Sequence, residues 1–283
     1  MTTCVVNRAA HKRRAILGSA IVLAVAFAAA SAEAAVTPPK SIADKGTIVY
    51  CSDLSFPPLE YFDPKTNQPA GFEVDLGAAV AKEMGVKSEF KNVSFDGIIP
   101  ALQAGQCDAI LSGLYDKPNR REVLDFVDYA YLGNSVIVRA DSNLSVKSLE
   151  ELSGKTAATE TGTQLELDLK KANENLAKAG TPPIKIVAFP KMSDAFQQLL
   201  IGLVDVFYTS TIQAGYYNEK NEGSNQVKVA SPQMSALYVG IATLKTQKDL
   251  HDAIDAAFKD LLANGEYDKI VKQWKLESIA QHP

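Results

Sequence analysis

Short apolar runs of five to seven residues alternate with helical patterns along this chain, and that alternation limits the folds open to it. The strand-like runs are 47–51, 87–91, 107–112, 135–139, 155–159, 184–188, 204–208 and 237–243. Helical spacing fills 73–84, 95–104, 163–178 and 192–202 between several of them. Parallel neighbours cannot be joined by a tight turn, so a helix crosses back over the sheet between them. The pattern therefore predicts an α/β fold with parallel sheets. Near the end, Leu250, Ile254, Ala257, Phe258, Leu261 and Leu262 make one apolar helix face. Gly265 stops that helix, and Glu266 to Trp274 restart it.

The start of the chain has a different character. Arg8, Lys12, Arg13 and Arg14 precede an apolar run from Ala15 to Ala30, and Ala30-Ser31-Ala32 and Ala32-Glu33-Ala34 follow it. A basic segment, a short apolar segment and small residues at alternate positions make a secretory leader over residues 1–32, with cleavage after Ala32 or Ala34. The run is short for a membrane anchor. Arg13-Arg14 carries only part of a twin-arginine export motif. Cys4 lies ahead of the apolar run and so is not a lipidated cleavage-site cysteine. The expected location is the periplasm. The chain carries 29 basic and 33 acidic residues. Without the four leader bases, about 25 bases face 33 acids, roughly −8. No basic stripe appears, so nucleic acid is not expected as a partner. No His, Cys or carboxylate spacing of the metal-binding kind occurs, and no metal or cofactor is expected. Residues 33–45 read as a mobile Pro- and Ala-rich lead-in.

Cys51 and Cys107 remain after the leader. Cys51 closes the run Thr47 to Cys51, and Cys107 opens the run Cys107 to Leu111. In parallel neighbouring strands they fall near opposite ends, roughly 10 Å apart. A disulfide needs closer Cα atoms, so both are expected to be buried, free thiols.

Residues 71–84 are the most specific stretch. They read Gly71-Phe72-Glu73-Val74-Asp75-Leu76-Gly77-Ala78-Ala79-Val80-Ala81-Lys82-Glu83-Met84. A turn glycine leads into a helix whose first-turn acids complement its free N–H groups and dipole. Val74, Ala78, Ala81 and Met84 recur as an apolar face. Asp53-Leu54-Ser55-Phe56-Pro57-Pro58-Leu59-Glu60-Tyr61, Phe95-Asp96-Gly97-Ile98-Ile99-Pro100-Ala101-Leu102, Gly105 to Ile110, and Ala263 to Ile270 with Trp274 add four further blocks. In order and spacing these blocks resemble the family 3 bacterial solute-binding proteins, periplasmic receptors that feed polar amino acids to ABC importers. The resemblance covers nearly all of the chain after the leader.

That resemblance implies a two-lobed flytrap, two parallel-rich sheets joined by two hinge strands with a ligand in the cleft. Lobe 1 is expected over 45–132 plus 237–283 and lobe 2 over 134–234, with hinges near 132–134 and 234–237. Ligands in such sheets lie beyond the carboxyl ends of strands. The residues there are Asp53, Phe56, Phe95, Gly113, Tyr115, Arg120, Gly162, Thr163, Gln164 and Ser210. A single Phe more often packs a core than touches a ligand. Phe56 and Phe95, however, match the family's aromatic clamp, whose faces bury apolar stem and attract cations. Arg120 matches the arginine that grips the ligand α-carboxylate through a two-pronged guanidinium. Arg121 beside it reads as a solvated surface residue. Gly162-Thr163-Gln164 opens a helix, leaving N–H groups for an anion.

Two positions depart from the family. Tyr115 stands where Ser or Thr is common. Ser210 stands where an aspartate usually receives the ligand α-ammonium, and a hydroxyl does not balance that charge. The guest is then a carboxylate-bearing solute without a free α-amine, with a modified one, or with one paired to Asp53, Asp116 or Glu160. The expected role is capture of an amino acid or amino-acid-like carboxylate by a monomer, and delivery to an inner-membrane ABC permease. The competing reading is a periplasmic prephenate or arogenate dehydratase on the same fold, with Glu160 or Asp53 as proton donor. His11, His251 and His282 build no nucleophilic dyad or triad. A receptor sensor domain or the binding half of a wall-lytic enzyme needs more chain, whereas this one reaches Pro283 just past its final helix.

Overall fold

The computed structural model describes Met1, residues 36–220 and residues 226–280, so the leader read over 1–32 lies outside the described residues apart from Met1. No helix among the described residues is long and apolar enough to cross a membrane. In chain order the elements are α1 (Lys40–Lys45), β1 (Thr47–Ser52), β2 (Ser55–Phe56), β3 (Glu60–Phe62), β4 (Pro69–Ala70), α2 (Phe72–Glu83), β5 (Lys87–Asn92), α3 (Ile98–Gln103), β6 (Ala109–Ile110) and β7 (Leu124–Arg139). They continue as β8 (Thr156–Glu160), α4 (Gln164–Lys178), β9 (Lys185–Phe189), α5 (Met192–Leu200), β10 (Val206–Ser210), α6 (Ile212–Lys220), β11 (Val227–Val229), β12 (Ser235–Leu244), α7 (Lys248–Ala263) and α8 (Glu266–Gln273).

The expected alternation is present. β1 pairs in parallel with β5 and β6, and β8 pairs in parallel with β9 and β10. The two parallel groups meet through the antiparallel pair of β12 and β7, giving the path β5-β1-β6-β12-β7-β10-β8-β9. Strand β11 adds to β7, and β2, β3 and β4 form a separate antiparallel sheet. Two long strands thus cross between two α/β halves, the two-lobed architecture. The hydrophobic packing divides with them. One core holds Tyr50, Leu76, Tyr129, Leu132, Val239, Ile254 and Tyr267, and another holds Val136, Ala157, Leu169, Phe196 and Phe207. Strand β7 passes from the first core to the second between Leu132 and Val136.

Several expectations are corrected. Lys40–Lys45 in the lead-in is a helix, held because Ile42 is buried in the first core. The face of α2 is only partly the one its spacing indicated. Ala81 and Met84 are buried as expected, together with Phe72, Leu76 and Val80, whereas Val74 is half-buried and Ala78 is exposed. The reason is Gly77, which lets the Tyr50 and Phe90 rings approach the helix backbone; a Cβ there would lie 2.8 Å from Phe90 Cζ. Glu73 is also buried. It accepts hydrogen bonds from Gly113 N–H (2.8 Å) and the Tyr129 hydroxyl, so it ties helix to sheet rather than only complementing a dipole.

Cys51 and Cys107 form a disulfide with Cα atoms 5.6 Å apart. The expectation of two free thiols failed because Cys107 does not open a strand. Strand β6 holds only Ala109 and Ile110, and the chain bends at Gln106 and Asp108 before entering it. An extended run would have carried Cys107 away from Cys51; the bend returns it. Both sulfurs lie in a third apolar cluster with Ile98, Leu102 and Phe126, between α3 and the sheet.

Candidate functional site

The carboxyl ends of β1, β6 and β8, and the turn after β5, converge on one narrow slot. Its walls are Asp53, Phe56, Glu60, Phe95, Gly113 and Tyr115 from the first half, and Glu160, Thr163, Gln164, Leu165 and Met192 from the second. Seven of the ten residues singled out from the sequence other than Arg120, Gly162 and Ser210 therefore line it together. The free volume is about 20 Å³, close to the room for a single water. The halves meet around it. Met192 N–H donates to Ser55 Oγ at 3.1 Å, and Lys117 Nζ donates to Gln164 Oε1. A wider cavity of about 630 Å³, bordered by Pro58, Tyr216, Trp274 and Lys275, lies outside this set of strand ends.

Local geometry explains the residue choices. Gly113 has φ of 51°, and a Cβ there would lie 3.0 Å from Phe56 Cε1. Left-handed backbone and a ring against it together favour glycine. Gly162 has φ of 78°, and its added Cβ would lie 2.9 Å from Asp96 Cα across the gap. Thr163 caps α4, its Oγ1 accepting from Glu166 N–H at 3.3 Å and donating to the Glu160 carbonyl at 2.7 Å. The N–H of Gly162, expected to be free for an anion, instead donates to Glu166 Oε2 at 2.9 Å. The helix start is thus partly occupied by its own carboxylate. Gln164 is engaged too, donating from Nε2 to Asp168 Oδ1 at 2.6 Å.

Arg120 is 8% exposed and sits with its Cζ 5.7 Å from the Phe95 ring centroid. It donates from NH1 to the Tyr115 carbonyl at 2.9 Å. No carboxylate pairs with it among the described residues. Burial, offset only in part by Tyr115, pushes its pKa down from 12.5 to about 10. Arg121 contrasts sharply: half-exposed, it is paired with Asp116 through Nε at 2.6 Å. Pro118 opens a series of turns over 118–123 rather than a helix, and those turns deliver Arg120 inward just before β7.

Three acids line the slot, Asp53, Glu60 and Glu160, and Glu73 lies behind Glu60. Asp53 accepts from Phe95 N–H at 3.1 Å, and its own N–H donates to Ser112 Oγ at 2.8 Å. Ser112 Oγ in turn donates to Glu60 Oε1 at 3.1 Å. Glu60 and Glu73 face each other; burial raises both, Glu73 to about 7, and mutual repulsion adds to the rise of Glu60. Burial first, and repulsion from Asp53 second, hold the Glu160 carboxyl well above the usual range. Asp53 is also raised, chiefly by burial. Tyr115 is buried, its hydroxyl donating to Asn134 Oδ1 at 2.6 Å. Ser210 does not reach the slot wall: it is 1% exposed, and its hydroxyl donates to the Gly133 carbonyl at 3.2 Å. Glu60, Leu165 and Met192 were not singled out from the sequence as site residues. Only Glu60 left a trace there, a carboxylate inside the apolar run Leu59-Glu60-Tyr61.

Comparison with known proteins fits this geometry. The chain is 29% identical over 240 residues to an arginine-binding protein of Corynebacterium glutamicum, covering 84% of this chain and 77% of that one. Among solved structures it is similar to an ancestral arginine-binding protein bound to arginine, at TM-score 0.73 and 35% identity, covering 81% of this chain and 98% of that one. It is also similar to an ancestral amino acid-binding protein described as a precursor of cyclohexadienyl dehydratase, at TM-score 0.70 and 32% identity, covering 83% and 97%. Residues 48–277 match the model of the bacterial extracellular solute-binding proteins, family 3, and with most of its length inside that match the chain belongs to this family.

Proposed function

We propose that this protein captures an amino acid or amino-acid-like carboxylate between two closing lobes and presents it to an ABC permease in the inner membrane. The observation that carries the reading is Arg120. A guanidinium held 8% exposed, against an aromatic ring and without a carboxylate partner among the described residues, is unfavourable by itself. An anionic guest removes that penalty, and the planar fork suits a carboxylate. Lobe 1 comprises 45–132 plus 237–283 and lobe 2 comprises 134–234, with β7 and β12 as hinges. Asp53, Phe56, Phe95, Gly113, Tyr115, Thr163 and Gln164 form the rest of the ligand surface. A guest that touches both lobes only when they close stabilises closure by its differential affinity. Micromolar capture, about −8 kcal/mol, suits such a cleft. The protein acts as a monomer in the periplasm after loss of residues 1–32.

The test is a thermal-shift screen of the mature protein against amino acids, opines, betaines and small carboxylates. A selective guest raises the unfolding midpoint through mass action, and titration calorimetry then gives its affinity. A complete screen without a selective shift would sink the reading. A second reading, proton donation by buried Glu160 in a dehydratase, draws on the likeness to the dehydratase precursor. Incubation with prephenate decides it: no aromatic product means binding without catalysis.

A further inference from the structure

We infer that Asp168 is a positioning residue for the slot: through one hydrogen-bond chain across β7 and β12 it holds Tyr115 on one wall and Gln164 on the other. This deepens the capture reading and rests on it. Asp168 lies in α4, is half-buried, and borders a separate cavity of about 400 Å³ rather than the slot. Its Oδ1 accepts from Gln164 Nε2, one helical turn earlier, at 2.6 Å. Its Oδ2 accepts from the Tyr208 hydroxyl at 3.3 Å. That hydroxyl is 3.4 Å from Ser235 Oγ, and Asn134 Nδ2 donates to the same Oγ at 3.1 Å. The Tyr115 hydroxyl donates to Asn134 Oδ1 at 2.6 Å. Asn134 on β7 and Ser235 on β12 stand opposite each other in the ladder, so the chain passes from one half to the other through both crossing strands.

The carboxylate fixes the direction of every link. An ionised carboxylate only accepts, so Tyr208 gives its single proton to Asp168 and its oxygen is left to accept from Ser235. Ser235 then accepts from the Asn134 amide, and the Asn134 oxygen is left for the Tyr115 hydroxyl. On the other side, Gln164 turns its amide N–H groups to Asp168 and its oxygen to Lys117 Nζ, which only donates. Gln164 thereby bridges an acid of one half and a base of the other. Burial lowers the pKa of Lys117 and raises that of Asp168, and each charge opposes the shift in the other. The chain also accounts for the tyrosine at 115: Ser or Thr, common there in the family, is too short to keep the bond to Asn134.

The experiment is a double-variant cycle on Asp168→Asn and Tyr115→Phe. The amide introduced at 168 donates toward Tyr208, and the chain reverses link by link until the Tyr115 proton has no acceptor. Water takes that proton in an open cleft, but around a guest in the closed slot it is stranded. The mature protein is titrated with L-arginine, L-glutamine and the strongest guest of the thermal-shift screen. Asp168→Asn should weaken every guest that binds by the same factor, about 10-fold. Tyr115→Phe orphans the Asn134 oxygen and should also weaken binding by about 10-fold. The double variant should stay within about 3-fold of either single one, whereas independent sites would multiply to about 100-fold. A local structural role for Asp168 does not couple it to a residue at the far end of the chain. If a variant fails to fold, tyrosine hydroxyl exchange read by NMR in isotope-labelled wild type decides the matter. Tyr115 and Tyr208 should exchange more slowly than the exposed Tyr131 and Tyr238, and a guest should slow both further. Multiplying factors, unchanged affinity in Asp168→Asn, an Asp168→Asn factor that differs between guests, or fast exchange at Tyr115 would overturn the inference while the capture reading stands. If nothing in the screen binds, both fall.

Discussion

Replacing Arg120 with methionine separates binding from folding in a way few buried arginines allow. A structural arginine in a buried ion pair leaves an orphaned carboxylate when removed, at a cost of about 3–5 kcal/mol. Arg120 has no such carboxylate among the described residues, and burial lowers its pKa from 12.5 to about 10. At 1.36 kcal/mol for each pH unit, the folded protein carries this charge at a cost of about 3 kcal/mol. Methionine removes that cost and fills similar space. It also loses the bond to the Tyr115 carbonyl, about 1.5–3 kcal/mol for a charged donor, and the contact over Phe95, about 0.5–2 kcal/mol. The gain and the losses nearly cancel. Ligand-free Arg120→Met should therefore unfold within about 2 kcal/mol of the wild type by urea titration. Affinity for the guest found in the screen should fall by about 2–5 kcal/mol, roughly 30- to 5,000-fold, by calorimetry. Arg120→Lys should fall between the two, keeping charge without the fork. Unchanged affinity together with a loss of 4 kcal/mol or more in the empty protein would refute the reasoning, because Arg120 would then be a folding residue.

Three further outcomes are expected. Reducing the Cys51–Cys107 bridge opens a loop with a sequence separation of 56, so chain entropy alone predicts a loss of about 4 kcal/mol; thermal unfolding with and without reductant, with thiols counted, checks this, and an unshifted midpoint in fully reduced protein contradicts it. Glu60 and Glu73 have folded-state pKa values above their unfolded ones, Glu73 at about 7. The native state thus binds more protons, and the stability they contribute is present below about pH 4.5 and lost as pH rises through about 7. Urea midpoints should decline over that window, less steeply in Glu73→Gln, and an equal slope in both proteins counts against the raised pKa of Glu73. Gly162→Ala places a Cβ 2.9 Å from Asp96 Cα at a left-handed φ, so the two walls no longer meet. Because backbone strain is common to the free and bound protein, the loss comes from the walls being held apart: guest affinity should drop by about 10-fold, about 1.4 kcal/mol, and X-ray scattering should show less compaction on binding than in the wild type; wild-type affinity would refute the contact.

Much of this protein is legible without coordinates because its determinants are local. Strand and helix periodicity, the leader composition and the turn glycines depend on near neighbours in the chain, and most elements fall within a few residues of where the patterns put them. Aromatic, glycine and arginine residues just after strands mark the site for the same reason: strand ends are where an α/β sheet exposes its cleft. What escaped depends on register and on contacts between distant segments. The bend at Asp108 that returns Cys107 to Cys51, the extension of α2's buried face around Gly77, and the capture of the Gly162 N–H by Glu166 are set by neighbours far away or by competing local partners. The sharpest case is the acid at the slot. By sequence Glu160 is one of a few acids offered as partner for a cation or as proton donor, without a choice between them; only packing strips it of water, leaves one oxygen without a donor among the described residues, and places it in the slot with Asp53. Charge order along the chain is written in the sequence, but desolvation, which turns a charge into a binding group, arises only when the tertiary structure closes around it.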